Sequence, residues 1–440
     1  MPPELLAPAG SPEALDAAAA EGADAVYLGL KNFNARLRSA NFTYSQFEAA
    51  LRSLRRMGKR CYVTVNTVFE QREADRMYQL LKYLSLVGPD AVIVQDFGVL
   101  SMINSEFPKL KIHASTQMNI ASGRGANALS RYGVSRVVLA RELSLEELIS
   151  VRAETNMELE VFVHGALCVS ASGLCLFSSY LGGKSANRGM CTQACRRLYH
   201  SGDENGGGDE DAPKDGYYFS PADLQLLEEL PQLAAAGVNA LKIEGRMKSA
   251  DYVGAVVSAY RLVLDAIAGG DEAAIRRSIT DGQEILRGDF ARGKTQFYFH
   301  PQNADGRPDW LNPEQDGGTG INLGVIYKTR GKDHLRQGFI INDNNYIKLL
   351  PAVGDSVRLH KGDDSARVSH KLKFVKAVSD GAASKEGVWI SIPEGFEKGD
   401  HVYLIQTKAL SKRYKPVIGG SAAGKREPGF DKAPIPAITP

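Results

Sequence analysis

Gly22-Ala23-Asp24-Ala25-Val26-Tyr27-Leu28 is the phrase on which the fold turns, because the chain writes it four times. The other copies are Gly88-Pro89-Asp90-Ala91-Val92-Ile93-Val94, Gly133-Val134-Ser135-Arg136-Val137-Val138-Leu139 and Gly237-Val238-Asn239-Ala240-Leu241-Lys242-Ile243. A glycine closing a helix takes the left-handed conformation without steric cost, and an unbroken apolar run suits a strand buried on both faces. Filling the gaps between copies gives eight runs: Leu5 to Ala7, Ala25 to Gly29, Tyr62 to Val65, Ala91 to Val94, Ile112 to Ser115, Val137 to Ala140, Leu159 to Val163 and Leu241 to Ile243. Helical patterns lie between most of them. Thr43 with Gln46 and Ser144 with Glu147 have capping-box spacing, and Phe47, Leu51 and Leu54 recur on one face. Eight parallel strands joined by helices predict an α/β fold, a (β/α)8 TIM-like barrel over residues 1–270. An open doubly wound sheet is the alternative.

In such a barrel the chemistry sits just past the C-terminal ends of the strands. The residues there are Asn66, Asp96, His113, Gln117, Asn119, Arg141, Glu142, His164, Glu244 and Arg246. Any one of them could merely cap a helix or bond a loop, so only their convergence carries weight.

Four of the five cysteines, Cys168, Cys175, Cys191 and Cys195, fall within 28 positions of an insertion spanning residues 164–220. Four thiolates in one loop fit a metal or cluster site. Zinc ribbons favour short paired gaps, whereas gaps of six, fifteen and three residues suit loop-borne ligands of an iron-sulfur cluster. Buried reduced thiols or two disulfides are the bland alternative. Cys61 begins a strand elsewhere and reads as core packing.

Beyond the barrel, residues 271–318 read as a helical and extended connector. Short alternating strands follow over 319–410: Asn322 to Tyr327, Ser356 to His360, Gly387 to Ile392 and His401 to Gln406, with turns at Gly354-Asp355 and Gly399-Asp400. They predict a small C-terminal β-barrel. Residues 411–440 have the composition of a disordered tail, and Ser201 to Gly216 that of a flexible acidic loop. Gly288 to Thr295 matches the P-loop pattern by letter, but a helix precedes it and a strand-like run follows, which is the reverse of what a P-loop needs. No HExxH or GxSxG motif occurs, and no dinucleotide fingerprint follows the first strand, which weakens the protease, hydrolase and NAD readings.

The 440 residues carry a net charge of +2, 43% hydrophobic and 24% charged residues, the proportions of a globular protein. The charge neither supports nor excludes RNA. The opening Met1 to Leu6 has no basic, apolar leader and no run of 18 apolar residues occurs, so a cytoplasmic protein with no membrane partner is expected.

The cysteine segment, with Leu241-Lys242-Ile243-Glu244-Gly245-Arg246-Met247-Lys248-Ser249, resembles peptidase family U32, whose members are often described as collagenase-like proteases. Asn41-Phe42, Val63 to Asn66, Ile112 to Gln117 and Leu139 to Glu147 extend the resemblance over roughly residues 1–300. It implies prephenate-dependent hydroxylation of a tRNA uridine or ribosomal RNA cytidine, with a 4Fe-4S cluster on Cys168, Cys175, Cys191 and Cys195. Local placement of all four cysteines resembles the RNA-directed members more than those of quinone synthesis. In that reading His164, Glu244 and Arg246 are the catalytic candidates, and Asn66, His113, Gln117 and Arg141 bind substrate. Arg141 or Arg246 would grip an anionic small molecule. Arg188, Arg196 and Arg197, or Arg52, Arg55, Arg56 and Arg60, would meet RNA phosphates, although a solvated face is the simpler reading of the second group. A collagenase-like peptidase using His164 and Glu244, and an electron-transfer subunit of a hydroxylase complex served by an iron-sulfur assembly or partner protein, are the competing readings.

Overall fold

The computed structural model describes residues 2–200, 215–286, 293–300, 311, 321–341, 351–363, 365–379, 386–406 and 414–418. Strands β1 (Glu4–Ala9), β2 (Ala25–Gly29), β3 (Arg60–Val65), β4 (Ala91–Val94), β5 (Ile112–Ala114), β6 (Val134–Val138) and β7 (Glu158–Ala166) pair in parallel, each with the next. After β8 (Asp223–Gln225), β9 (Ala240–Ile243) pairs with both β7 and β1 and closes the ring. The fold is therefore the eight-stranded barrel and not the open sheet. β8 lies outside the ring, antiparallel to the end of β7, and β10 (Lys294–Thr295) adds to it. The sequence reading missed β8 because three residues are too short to show a period. β10 holds the last two residues of the P-loop-like string, in a strand and not at a helix start. Residues 288–292 of that string lie outside the described residues, as do 201–214 of the acidic loop.

The helices alternate with the strands as their sequences dictate: α1 (Pro12–Ala20), α2 (Tyr44–Arg56), α3 (Ala74–Val87), α4 (Phe97–Glu106), α5 (Gly123–Ser130), α6 (Leu145–Glu154), α7 (Phe177–Gly182), α8 (Leu230–Ala235), α9 (Ala250–Gly269) and α10 (Glu272–Leu286). Both expected capping boxes form, and Phe47, Leu51 and Leu54 turn their shared face to the core. Gly88 ends α3 at φ 70°, where a side chain would be strained. α9 alone among the described helices has the length and apolarity to cross a membrane, but half of its apolar stretch is buried and it packs against α1 and α10.

The barrel's interior is polar where many such barrels are aliphatic. Glu160 of β7 is fully buried, its carboxylate 2.7 Å from Lys242 Nζ of β9 and 3.2 Å from Arg136 Nη1 of β6. Arg136 also meets Glu4 of β1 at 2.6 Å, and Tyr62 donates to Glu4 at 2.9 Å. This explains why β6 begins three residues before its expected start: Ser135-Arg136 looks like a polar interruption, yet Arg136 points inward to a partner.

A second unit follows: β11 (Ile321–Arg330), β12 (Gln337–Ile341), β13 (Ser356–His360), β14 (Arg367–Lys371), β15 (Val375–Ser379), β16 (Glu386–Ser391) and β17 (His401–Gln406). They form one antiparallel sheet in the order β14-β13-β17-β11-β12-β16-β15, around its own core of Ile326, Ile340, Val357, Ile390 and Val402. Part of the expected tail is instead docked. Tyr414 donates to Glu21 at 3.1 Å, the Val417 amide bonds Asp16, and Val417 and Ile418 pack on the barrel's core. Two apolar residues in a polar, proline-rich stretch were enough to anchor it. Residues 419–440 lie outside the described residues.

Removing one partner from a buried ion pair leaves the other charge uncompensated, so Glu160→Gln should cost about 3–5 kcal/mol in denaturant titrations. Burial opposes ionisation of Glu160, but Lys242 and Arg136 overcome it and hold the carboxyl below its usual range. Its contribution is therefore complete above the unfolded-state value and fades as pH falls through the lower folded value. A variant as stable as the wild type at neutral pH would refute this role.

Candidate active site

One cavity of about 300 Å³ opens past the C-terminal ends of the barrel strands, and all four clustered cysteines line it. With them stand Asn66 after β3, Gln117 after β5, Arg141 after β6, and Glu244 and Arg246 after β9. The Asn66 amide donates to Gln117 Oε1 at 3.1 Å, joining two strand ends. Among the described residues lining the cavity, eight are cationic (Arg36, Arg38, Arg141, Arg196, Lys242, Arg246, Lys248 and Arg358) and one, Glu244, is a carboxylate, while Lys242 and Lys248 also meet Glu160 and Asp223 from outside the lining.

That carboxylate organises the guanidiniums. Arg36 lies 3.2 Å from Glu244 Oε1 and Arg141 3.6 Å from Oε2. Burial works against the charge on Glu244, yet Arg36, Arg141 and Arg246 keep its pKa below the usual value. Burial, with Arg36 adding repulsion, pulls Arg246 down to about 10, so it remains charged at neutral pH. Its Nη1 donates to Thr64 at 2.9 Å and Asn34 at 3.2 Å. Arg141 lies 3.9 Å over the Phe162 ring and donates to the Ala166 carbonyl, while its buried Nε has no hydrogen-bond partner. Gly29 is required here, since a Cβ would stand 2.5 Å from the Arg246 guanidinium.

None of the five cysteines is in a disulfide, which sets aside the disulfide alternative. Backbone amides two residues on point at three of the sulfurs: Ser170 at Cys168, Phe177 at Cys175 (3.4 Å) and Gln193 at Cys191 (3.4 Å). Such donors favour a thiolate or a sulfur-ligated centre. Burial pushes the Cys168 thiol up, opposed by the Ser170 amide and by Arg141 and Arg36. Among the described residues no three His, Cys, Asp or Glu side chains are grouped closely enough for one metal ion. A single zinc needs every sulfur about 2.3 Å from one point, whereas a multi-iron cluster interposes its own atoms and spreads its ligands.

Two backbone positions that shape this loop are strained. Ser172 and Gln193 are held at φ 43° and 57°. Glu142 fixes the first, accepting from the Ser172 amide and hydroxyl, each at 2.6 Å.

Several expected residues are elsewhere. His164 does not line the cavity: its Nδ1 lies 3.3 Å from Tyr260 Oη, toward α9. Phe162, two residues earlier, lines the cavity, and strict alternation would send His164 in with it, but the β7–β9 register shifts between Phe162 and His164 and the ring turns out toward α9. His113 joins the interior layer, its ring 4.7 Å from Tyr62, and burial drives its pKa to about 3. Asp96 caps α4. Arg196 is buried and holds the insertion to the barrel through Ser220, Pro221 and Leu167. Arg188 pairs with Glu70 and Glu73. Arg52 pairs with Glu48, Arg55 bonds the Gly88 carbonyl and Arg60, at the start of β3, pairs with Glu4, which places Arg60 at the barrel's opposite end.

The sequence reading missed Arg36, Arg38, Lys242, Lys248 and Arg358. Arg36 and Arg38 follow β2 as Asn66 follows β3, so the strand-end rule would have found them. Lys242 was hidden inside an apolar strand, and Arg358 comes from the other domain.

A family model described as Peptidase family U32 matches residues 10–307. The chain belongs to this family. It is 30% identical to "tRNA hydroxylation protein P" of Escherichia coli (strain K12) over 90% of this chain and 95% of the relative. It is 35% identical to the same organism's "23S rRNA 5-hydroxycytidine C2501 synthase" over 76% of this chain, but spans only 50% of that longer protein. A relative from Porphyromonas gingivalis, 34% identical over 74% of this chain and 81% of its own length, is named collagenase.

Because Glu142 accepts from both the amide and the hydroxyl of Ser172, Glu142→Ala should speed amide exchange at residue 172 by about tenfold or more, the loss of the charged hydrogen bond to that amide. Exchange unchanged in mass-resolved peptides covering 168–176 would show the loop to be held otherwise.

Proposed function

We propose that this protein hydroxylates a pyrimidine in tRNA or ribosomal RNA, in the cytoplasm, with a 4Fe-4S cluster on Cys168, Cys175, Cys191 and Cys195 and an anionic co-substrate such as prephenate. The observation that carries this reading is one cavity whose lining, among the described residues, holds four cysteines outside any disulfide and a surplus of cations over the carboxylate of Glu244. The names of the two Escherichia coli relatives supply the RNA and the reaction.

A cluster on these cysteines would supply one-electron chemistry beside whatever fills the cavity. The protein's own groups do the rest. Arg36, Arg141 and Arg246 form forks that match carboxylate geometry, and the orphaned Arg141 Nε is a donor ready for a ligand oxygen. Glu244 keeps the guanidiniums apart and oriented. Held ionised among them, it is a weak base. The Asn66–Gln117 amide pair presents polar edges suited to a pyrimidine.

Peptide hydrolysis, favoured by the family's name and the collagenase relative, is less well supported. It would pair His164 with Glu244, and His164 does not line the cavity.

Deleting the gene should remove one oxygen's mass from a pyrimidine nucleoside in digests of tRNA or ribosomal RNA. The wild-type gene should restore it and Cys191→Ser should not. Arg141→Ala should lower kcat/KM for the anionic co-substrate by about 10–100-fold, the worth of a charged hydrogen bond. Unchanged masses in both RNA pools, or collagen cleavage that survives replacement of all four cysteines by serine, would overturn the proposal.

A further inference from the structure

The C-terminal sheet keeps its aliphatic core on one face. On the other face a cross-strand row runs Lys328, Phe339, Trp389 and Lys376 over β11, β12, β16 and β15. Phe339 and Trp389 lie 5.2 Å apart, and Lys328 Nζ stands 5.1 Å from the first ring and 5.8 Å from the second. The Arg330 guanidinium lies 3.9 Å over the Trp389 ring, and its Nε donates to Gln337 at 2.9 Å, which fixes its orientation. Lys328, Arg330 and Lys376 are exposed, and among the described residues none pairs with a carboxylate.

Arg358 belongs to the same face, since its neighbours Val357 and Leu359 point into the core. It also lines the cavity, and Arg367 of the adjoining strand donates to the Arg196 carbonyl at 3.0 Å. Arg358 on β13 thus brings one part of that face to the cavity, and the aromatic row on β11, β12, β16 and β15 lies farther along the same sheet.

Two cations over two rings, with Lys376 on the strand beside Trp389, suit a polyanion that carries flat groups. A guanidinium laid on an indole has a second flat face on which a base can stack, and the lysines on either side stand where phosphates would follow. An acidic peptide would use the charges and not the stack.

We propose that this face of the C-terminal sheet binds unpaired RNA, with a base stacked on Arg330 over Trp389, phosphates on Lys328 and Lys376, and Arg358 joining the track to the cavity. This rests on the RNA-hydroxylation reading and adds where the substrate is gripped outside the cavity.

The test uses the full chain and fluorescent bulk tRNA, with binding measured by anisotropy at several salt concentrations. The double variant Lys328→Glu, Arg330→Glu should lose about tenfold or more in affinity, and the slope of log K against log salt should fall by about 1.4, roughly 0.7 for each cation removed from a single strand. Arg330→Lys keeps the charge but not the flat stack, so it should weaken binding with the slope unchanged. If the double variant is folded by circular dichroism and binds tRNA as the wild type does, the surface assignment fails while the RNA reading stands. Polyglutamate competing as well as polyuridylate would instead assign the face to an acidic protein. Wild-type protein that binds no tRNA, in cells whose deletion leaves nucleoside masses unchanged, would remove both.

Discussion

Closure of the barrel depends on one fully buried carboxylate. Glu160 of β7 takes Lys242 of β9 and Arg136 of β6, and Arg136 in turn takes Glu4 of β1. The network spans both seams at which β9 closes the ring. An ion network of this kind gains little over a well-packed aliphatic core, but it punishes misregistered pairing, because any slip strands a charge in low dielectric. Lys242 carries its influence upward. Burial pulls its pKa down against the attraction of Glu160, and its ammonium lies 4.6 Å from the Tyr27 ring and 5.3 Å from Phe162, at the floor of the cavity.

Above that floor the same logic is inverted. Glu160 is surrounded by enough positive charge to be neutralised, whereas Glu244 is surrounded by too much. The surplus guanidiniums are held in place by Thr64, Asn34, Ala166 and the Phe162 ring, so their positions do not depend on a ligand. A mouth rich in guanidiniums, roofed by a cysteine loop with amide-to-sulfur bonds, is the arrangement from which the functional reading grows.

Much of this was legible in the sequence because the glycine-led apolar phrase records a strand's burial and a helix's end together. Four of the eight barrel strands carry that phrase and the other four lie in the apolar runs between. Asn66, Gln117, Arg141, Glu244 and Arg246 follow from their strand ends, and the capping boxes and cysteines from their own spacing. What stayed hidden shares one cause. Which way a side chain points on a strand buried on both faces leaves no mark in an apolar run, so His164 and His113 looked like site residues and Lys242 did not. Arg358 was beyond reach for another reason: its place at the cavity comes from domain packing, which no local pattern encodes.

The most direct measurement is iron and acid-labile sulfide in the full chain purified without oxygen. The account predicts about four of each per chain and an absorption band that bleaches on reduction. Protein that is colourless and iron-free, or that carries one zinc on the same cysteines, would contradict it.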